Sequence, residues 1–96
     1  MHRGDEAKLV WALMESAQQL LSPDARAWLY AKIGTGDFAA AIVDMLHVHE
    51  RARAELPAAL AESVEFWLRG YVGSDQEPVL RALVGRIRVS LNPSQR

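Results

Sequence analysis

Hydrophobic residues recur along this chain at the three- and four-residue spacing that is typical of amphipathic helices. Turn-forming stretches separate five such segments, at 21–24 (LSPD), 33–37 (IGTGD), 55–57 (ELP) and 72–78 (VGSDQEP). No window combines sustained two-residue alternation with β-branched residues, so the pattern predicts helices throughout and no sheet.

Each segment carries one apolar stripe that must be buried against its neighbours. Connections of about two to five residues favour antiparallel neighbours. The sequence therefore predicts an all-α fold: a compact bundle of about five short, mostly antiparallel helices, the second being short. The stripes consist of Val10, Leu13, Met14, Ala17 and Leu21; Ala25, Trp28, Leu29 and Ile33; Phe38, Ile42, Met45 and Leu46; Leu60, Val64, Trp67, Leu68 and Tyr71; and Leu80, Leu83, Val84, Ile87 and Leu91.

The third helix has a second, mildly apolar face, and we expect this helix to be central in the bundle. Opposite its main stripe lie Ala39, Ala40, Val43, His47 and Ala54. Two interpretations stay open for this face. Either neighbouring helices cover it, or it is a dimer or partner interface at which small side chains allow close approach.

Capping residues mark several helix boundaries. Ser22 followed by Pro23 indicates a helix start, and Ser74 with Glu77 three positions later forms a capping-box pattern. Asn92 supplies the corresponding stop for the last helix, which is therefore expected to extend to about that residue.

Length and composition indicate one globular domain over residues 1–96, with flexible ends at 1–4 and 93–96. Half of the 96 residues are hydrophobic and 24% are charged, which is a globular rather than a disordered composition. The absence of cysteine excludes disulfides, thiolate zinc sites and thiol nucleophiles. We find neither a signal peptide nor a membrane span and expect a cytoplasmic protein without membrane contact.

The net charge of −1 gives no bulk attraction to nucleic acid, which we do not expect as a partner. A nucleic-acid-binding regulator with a degenerate helix-turn-helix at 26–46 is the alternative. The third helix begins DFAAAIV, however, and offers none of the side chains that read base edges. Arg81 and Arg88 lie along one edge of the last helix. Three interpretations stay open: these arginines bind an acidic partner or RNA phosphates, they are ordinary solvated arginines, or they face the acidic middle segment of the chain, which contains Glu50, Glu55, Glu62 and Glu65.

The HVH stretch places two histidines two positions apart. On a helix such residues point about 200° apart, so His47 and His49 cannot bind one ion together. His49 lies in the main stripe and is interpreted either as a buried imidazole with both nitrogens satisfied or as a ligand-touching or pH-sensing residue. His47 lies near Asp44 and Glu50, a weak metal set, and we expect no metal or cofactor.

Gly36, Asp37, Phe38, Ala41 and Ile42 are similar to the turn and second-helix start of a tetratricopeptide repeat. No second copy appears at the family spacing of about 34 residues. The resemblance implies a tightly packed helical hairpin with close approach at Ala41. It does not imply the peptide-binding function of that family.

Three aromatic residues, Trp11, Tyr30 and Phe66, project to the side of their stripes, where partner-binding residues are often found. Phe66 is flanked by Ala59 and Ser63, which form a smooth strip on which another helix can lie. No nucleophile with a neighbouring base and no cofactor fingerprint is evident in the sequence, so we do not expect an enzyme.

The sequence therefore predicts a non-enzymatic helical protein-interaction module, such as an adaptor, regulatory subunit or immunity-type binder. It is expected to bind a protein partner or to self-associate as a homodimer. A further alternative is a small-ligand sensor with a pocket near His49, Trp28 and Trp67. The candidate partner-binding residues are Trp11, Tyr30, Val43, His47, Phe66, Arg81 and Arg88.

Overall fold

The computed structural model describes residues 3–90 and forms the predicted all-α bundle. Short 3₁₀ turns extend the first and fourth helices. None of the described helices combines the length and apolar character needed to span a membrane. The helices are α1 (Arg3–Ala17), α2 (Pro23–Gly34), α3 (Phe38–Ala52), α4 (Ala58–Leu68) and α5 (Glu77–Gly85), with two-residue strands β1 (Leu56–Pro57) and β2 (Val89–Ser90).

The structure corrects two expectations, the length of the second helix and the extent of the flexible N-terminal end. The second helix is not short: α2 has 12 residues, whereas α5 has nine. Of the ends expected to be flexible, residues 3 and 4 form the first turn of α1. Residues 1–2 and 93–96 lie outside the described part of the chain.

The third helix is central, as predicted. α3 packs against α1, α2 and α5, and its main stripe is completely buried at Ile42, Met45 and Leu46. Its second face is only partly covered, because Val43 packs against the core while His47 stays half-exposed. Both sides of α3 therefore contribute to the bundle, as a central helix requires.

A hydrogen bond and an aromatic contact fix α4 against α1. The Trp67 side chain is only 1% exposed, and its indole Nε1 donates to Glu6 Oε2 at 2.9 Å. The Tyr71 ring meets Trp67 edge-on, with ring centroids 5.0 Å apart. The start of α1 therefore lies beside the end of α4, and the two helices are antiparallel.

The second helix packs differently from the sequence prediction. Leu29 and Ile33 are buried between α2 and α3, but Trp28, predicted as core, is 64% exposed. The Trp28 ring lies beneath the Lys32 ammonium, 5.6 Å from the ring centroid, and Lys32 pairs with Asp44 of α3. Trp28 was wrongly placed because it sits at the border of its stripe, where packing rather than periodicity decides burial.

The N-terminus of α2 is capped as predicted, whereas the N-terminus of α5 is not. The Ser22 Oγ accepts a hydrogen bond from the Ala25 N–H at 3.1 Å, as an N-cap should. The predicted capping box at Ser74 and Glu77 is absent, because the Glu77 carboxylate accepts instead from the Gly73 N–H at 3.0 Å. That bond closes the turn that precedes α5.

The chain leaves the helical conformation earlier than predicted, at Gly85, and forms a small strand pair that the sequence did not indicate. β1 and β2 are parallel, and the Leu56 N–H donates to the Arg88 carbonyl at 2.8 Å. The expectation of no sheet is therefore wrong at this point. The expected helix end at Leu91 and Asn92 lies outside the described residues.

Candidate binding surfaces

The predicted partner-binding residues do not form one surface. Trp11 and Tyr30 are both exposed and contact each other across α1 and α2, with ring centroids 6.1 Å apart and planes tilted by 38°. They form a small aromatic patch on the side of α1 that faces α2. Each ring covers part of the other, so the patch is flatter than two isolated aromatic side chains would be.

Val43 and His47 lie on the second face of α3. The His47 Nδ1 is 3.8 Å from Glu50 Oε1, whereas the Asp44 carboxylate turns away to Lys32. The three residues thus do not converge on one point. Within residues 3–90, no group of three or more histidine, aspartate or glutamate side chains is placed to hold a metal ion.

Phe66 lies at a groove between α1 and α4, which we call the α1–α4 groove. One section has a volume of about 490 Å³ and a second of about 470 Å³. The sections are adjacent, because Ala12, Ala59 and Ser63 line both of them. The remaining lining consists of Asp5, Lys8, Leu9, Glu15, Ser16, Pro57, Leu60, Glu62 and Phe66.

The α1–α4 groove exists because small residues face each other on the outer sides of both helices. Ala12 on α1 and Ala59 and Ser63 on α4 carry short side chains and leave a depression between the two helices. The α1 side of the groove extends from Asp5 to Ser16, a distance of about 16 Å along the helix. This length corresponds to about three helical turns.

The rim of the groove is mostly acidic. Asp5 and Glu15 on α1 and Glu62 on α4 are exposed, and Lys8 is the basic residue among the lining side chains of the described chain. The Phe66 side chain is 50% exposed at one end. The groove therefore combines a small, apolar floor, one aromatic side chain and a negative border.

The two candidate arginines lie in different places. The Arg81 Nε donates to Glu77 Oε2 at 2.9 Å, and its Nη1 lies 3.9 Å from Glu65 Oε1, so neighbouring carboxylates already neutralise it. The hydrogen bond from Arg81 also lowers the pKa of the Glu77 carboxyl group. Arg81 is thus occupied within the molecule.

Arg88 instead lines a separate pocket of about 410 Å³ at the C-terminal ends of α3 and α5. We call this the arginine pocket. The Arg86 Nε donates to Glu50 Oε2 at 2.8 Å, and this bond lowers the pKa of the Glu50 carboxyl group. The lining residues are His49, Glu50, Arg51, Arg53, Ala54, Arg86, Ile87 and Arg88.

His49 lies at the inner end of the arginine pocket and is 1% exposed. Its Nδ1 is 3.3 Å from the Ala54 carbonyl and its Nε2 is 3.3 Å from Ser16 Oγ. A carbonyl only accepts, so Nδ1 carries the proton and Nε2 accepts from the serine hydroxyl. Burial lowers the pKa of His49, and the Ala54 bond opposes that effect in part. The imidazole is therefore buried with both nitrogens bonded, the first of the two interpretations.

The residues of the proposed sensor pocket are not brought together. His49 contacts Ser16 and Ala54, Trp67 bonds Glu6, and Trp28 is exposed on α2. A cavity of about 990 Å³ lies elsewhere, between α4, α5 and the strand pair. A small-ligand sensor function stays a prediction, but the described residues do not form the pocket near His49, Trp28 and Trp67 on which that prediction was based.

Helices α2 and α3 do form a helix, turn and helix over residues 26–46, and Ala41 on α3 is fully buried. The second of these helices is central in the bundle, whereas a recognition helix must present its side chains to the major groove.

Comparisons with protein-family models, with curated proteins and with solved structures return no significant match.

Proposed function

We propose that this chain is a non-enzymatic interaction module that binds an amphipathic helix of a partner protein in the α1–α4 groove. The observation that carries this proposal is the combination of a floor of alanine and serine with a half-exposed Phe66 at one end. Amphipathic helices commonly bind in such grooves through apolar side chains spaced three and four residues apart.

The dimensions of the groove favour a helix. Its walls extend over about three turns, which is the length that three or four anchor side chains occupy on a bound helix. Ala12, Ala59 and Ser63 carry short side chains, so a second backbone can approach closely. Phe66 supplies an exposed aromatic surface, a type that is enriched at the centre of interfaces.

The charge of the rim favours a partner with basic flanking residues. Asp5, Glu15 and Glu62 outnumber Lys8 along the border, and opposite charges across an interface speed association and exclude wrong partners. Two copies of this chain joined through the same groove would oppose like charges. We therefore assign the groove to a different protein, with the homodimer as the competing occupant.

The aromatic patch extends the same surface. Trp11 and Ala12 are consecutive on α1 and point about 100° apart, so a partner that covers the outer side of α1 reaches both. Trp11 and Tyr30 would then contribute contacts outside the groove. Arg81 is not included, because Glu77 and Glu65 already pair with it.

One pair of residues has the chemical types of a nucleophile and a base, and its setting supports a non-enzymatic function. The Ser16 hydroxyl bonds to His49, but the imidazole is enclosed and has a lowered pKa. Ser16 also lies within α1, where the backbone N–H groups bond along the helix and offer no donors to an oxyanion.

A peptide-display selection with the full chain as bait tests the proposal. The library encodes helix-forming peptides of roughly three to four turns with varied apolar and charged positions. We expect enrichment of peptides with one apolar ridge and basic flanks. Ala12→Arg should abolish their binding by filling the groove, whereas Ala27→Arg, an equally exposed alanine on α2, should not.

The groove would be refuted as the site if the same peptides were enriched with the Ala12→Arg variant, or if enrichment did not depend on peptide charge. Sedimentation of the chain over a concentration series tests the competing occupant. We expect a monomer. A dimer that Ala12→Arg dissociates would assign the groove to a second copy of the chain.

A further inference from the structure

The arginine pocket concentrates positive charge in a concave site. Four guanidinium side chains line it, from Arg51, Arg53, Arg86 and Arg88, and all four residues are exposed. Glu50 is the acidic residue among the described lining side chains. The pocket therefore has an excess of positive charge, although the whole chain has a net charge of −1.

Two distant segments form this pocket. Arg51 and Arg53 belong to the stretch RAR at the end of α3, and Arg86 and Arg88 to the stretch RIR after α5. The strand pair joins them, because the Leu56 N–H binds the Arg88 carbonyl at 2.8 Å. The fold thus holds four cationic groups beside one cavity despite their mutual repulsion.

Most of these charges form no close ion pair with the rest of the chain that the structure describes. Arg86 forms a salt bridge with Glu50, but Arg51, Arg53 and Arg88 form none within residues 3–90. Backbone N–H groups cap the end of α3: the Arg53 N–H binds the Glu50 carbonyl at 3.1 Å, and the Ala54 N–H binds the His49 carbonyl at 3.0 Å. The guanidinium groups are therefore not required as helix caps.

The backbone at Arg53 is a second, independent sign of selection for its side chain. Arg53 has φ 55° and ψ 33°, the left-handed conformation that glycine adopts most readily at this position after a helix. Apart from asparagine and aspartate, residues with a Cβ atom are strained there. An arginine that tolerates this strain and lines the pocket is consistent with a functional side chain.

We propose that the arginine pocket binds a small molecule that carries two or more phosphate groups. Guanidinium groups bind phosphate oxygens through paired, charge-assisted hydrogen bonds. In this pocket four of them line a cavity that is larger than one phosphate group needs. The site is distinct from the α1–α4 groove and does not depend on the function proposed for that groove.

A compact ligand fits the charge distribution better than an extended polyanion. Four arginines stand together at the pocket, whereas Glu55 nearby and most of the rim of the α1–α4 groove are acidic. A long nucleic acid that filled the pocket would pass over carboxylates as it left. A short phosphate chain would make all its contacts inside.

Calorimetric titration with inorganic triphosphate tests the proposal, with inorganic phosphate and a nucleoside triphosphate as further ligands at constant ionic strength. We expect saturable triphosphate binding, at least about tenfold tighter than phosphate binding. Equal affinities for both triphosphates would mean that the phosphate chain is recognised. Tighter binding of the nucleoside triphosphate would mean that its base adds contacts. Both results support the site.

Two variants distinguish binding in the arginine pocket from a general attraction between the ligand and positive charge on the protein. Arg53→Gly removes a guanidinium while relieving the left-handed backbone, so it should fold at least as well as the wild type and bind triphosphate about tenfold more weakly. Arg69→Ala removes one exposed charge outside the pocket and should change affinity less than about twofold.

The signals of the His49 imidazole provide a local readout by NMR, since this ring lies at the inner end of the pocket. They should shift on triphosphate addition. Three results would overturn the proposal: absent saturation, equal weakening in both variants, or tighter binding of a single-stranded RNA with the same number of phosphates.

Discussion

The α1–α4 groove and the arginine pocket lie on either side of a single hydrogen bond and have opposite chemistry. Ser16 lines the groove and bonds to His49, which lines the pocket. The groove has a small, apolar floor with an acidic rim and is built from two helix faces. The pocket is polar and basic and is built where helices end. One small core thus supports two surfaces suited to different ligands.

The largest predicted effect concerns two consecutive residues on α4 that separate core from groove. Trp67→Ala should lower the free energy of unfolding by about 3–5 kcal/mol, because it removes a buried indole and its bond to Glu6. Phe66→Ala should lower it by less than about 1 kcal/mol, because this ring is half-exposed. Urea denaturation measures both. Similar losses would mean that Phe66 is a core residue and not part of a binding surface.

The second prediction is that the two surfaces bind independently. Ala12→Arg should weaken a selected helical peptide by more than about 2 kcal/mol and leave triphosphate affinity unchanged. Arg88→Gln should weaken triphosphate and leave the peptide unchanged. Fluorescence anisotropy and calorimetry measure these affinities. A variant that weakens both ligands equally would show that the surfaces are coupled or that the fold is disturbed.

The third prediction concerns the cost of the arginine pocket. Arg53→Gly should raise the free energy of unfolding by about 0.5–1 kcal/mol, because glycine accepts the left-handed backbone without strain. Arg51→Gly, within regular α3, should instead lower it by a similar amount. Thermal and urea denaturation of both variants provide the comparison. Destabilisation by Arg53→Gly would remove the argument that strain is tolerated for function.

The smallest expected effect is the pH dependence that arises from the hydrogen bond between the surfaces. Burial lowers the pKa of His49 in the folded state, so its contribution to stability is full above the unfolded pKa of about 6.5 and is lost as the pH falls through the folded pKa. The slope is at most about 1.4 kcal/mol per pH unit for one proton.

His49→Gln should therefore flatten the decrease in stability between about pH 7.5 and 5.5, a window above the carboxyl pKa values. Urea denaturation at several pH values measures the slopes. His47→Gln, at a half-exposed position on the same helix, is the matched control variant. Equal slopes for all three proteins would exclude His49 as the titrating group.

The sequence predicted the helical elements because each depends on local periodicity. The stripes of α1 and α3 are buried as expected, and Phe66 with its small neighbours was recognisable on the helical projection of α4. Only the α4 side of the groove is predictable in this way, since spacing alone places Ala59, Ser63 and Phe66 on one side of a helix, whereas its α1 wall depends on how the helices pack.

The arginine pocket was not predictable, because no local pattern links its two halves. The sequence alone predicts that the last helix continues beyond Gly85, to about Asn92. Glycine weakens a helix there, and the following Ile87 and Val89 suit a strand. The pairing partner, Leu56, is remote in sequence, and only the matching stretches RAR and RIR hinted that the segments meet.

Chemical-shift mapping of the selected peptide on the folded chain by NMR tests the central claim most directly. Binding in the α1–α4 groove predicts the largest amide shifts at Ala12, Ala59, Ser63 and Phe66, with little change at Arg53 and Arg88. Shifts centred instead on the second face of α3, at Val43 and His47, would contradict this account.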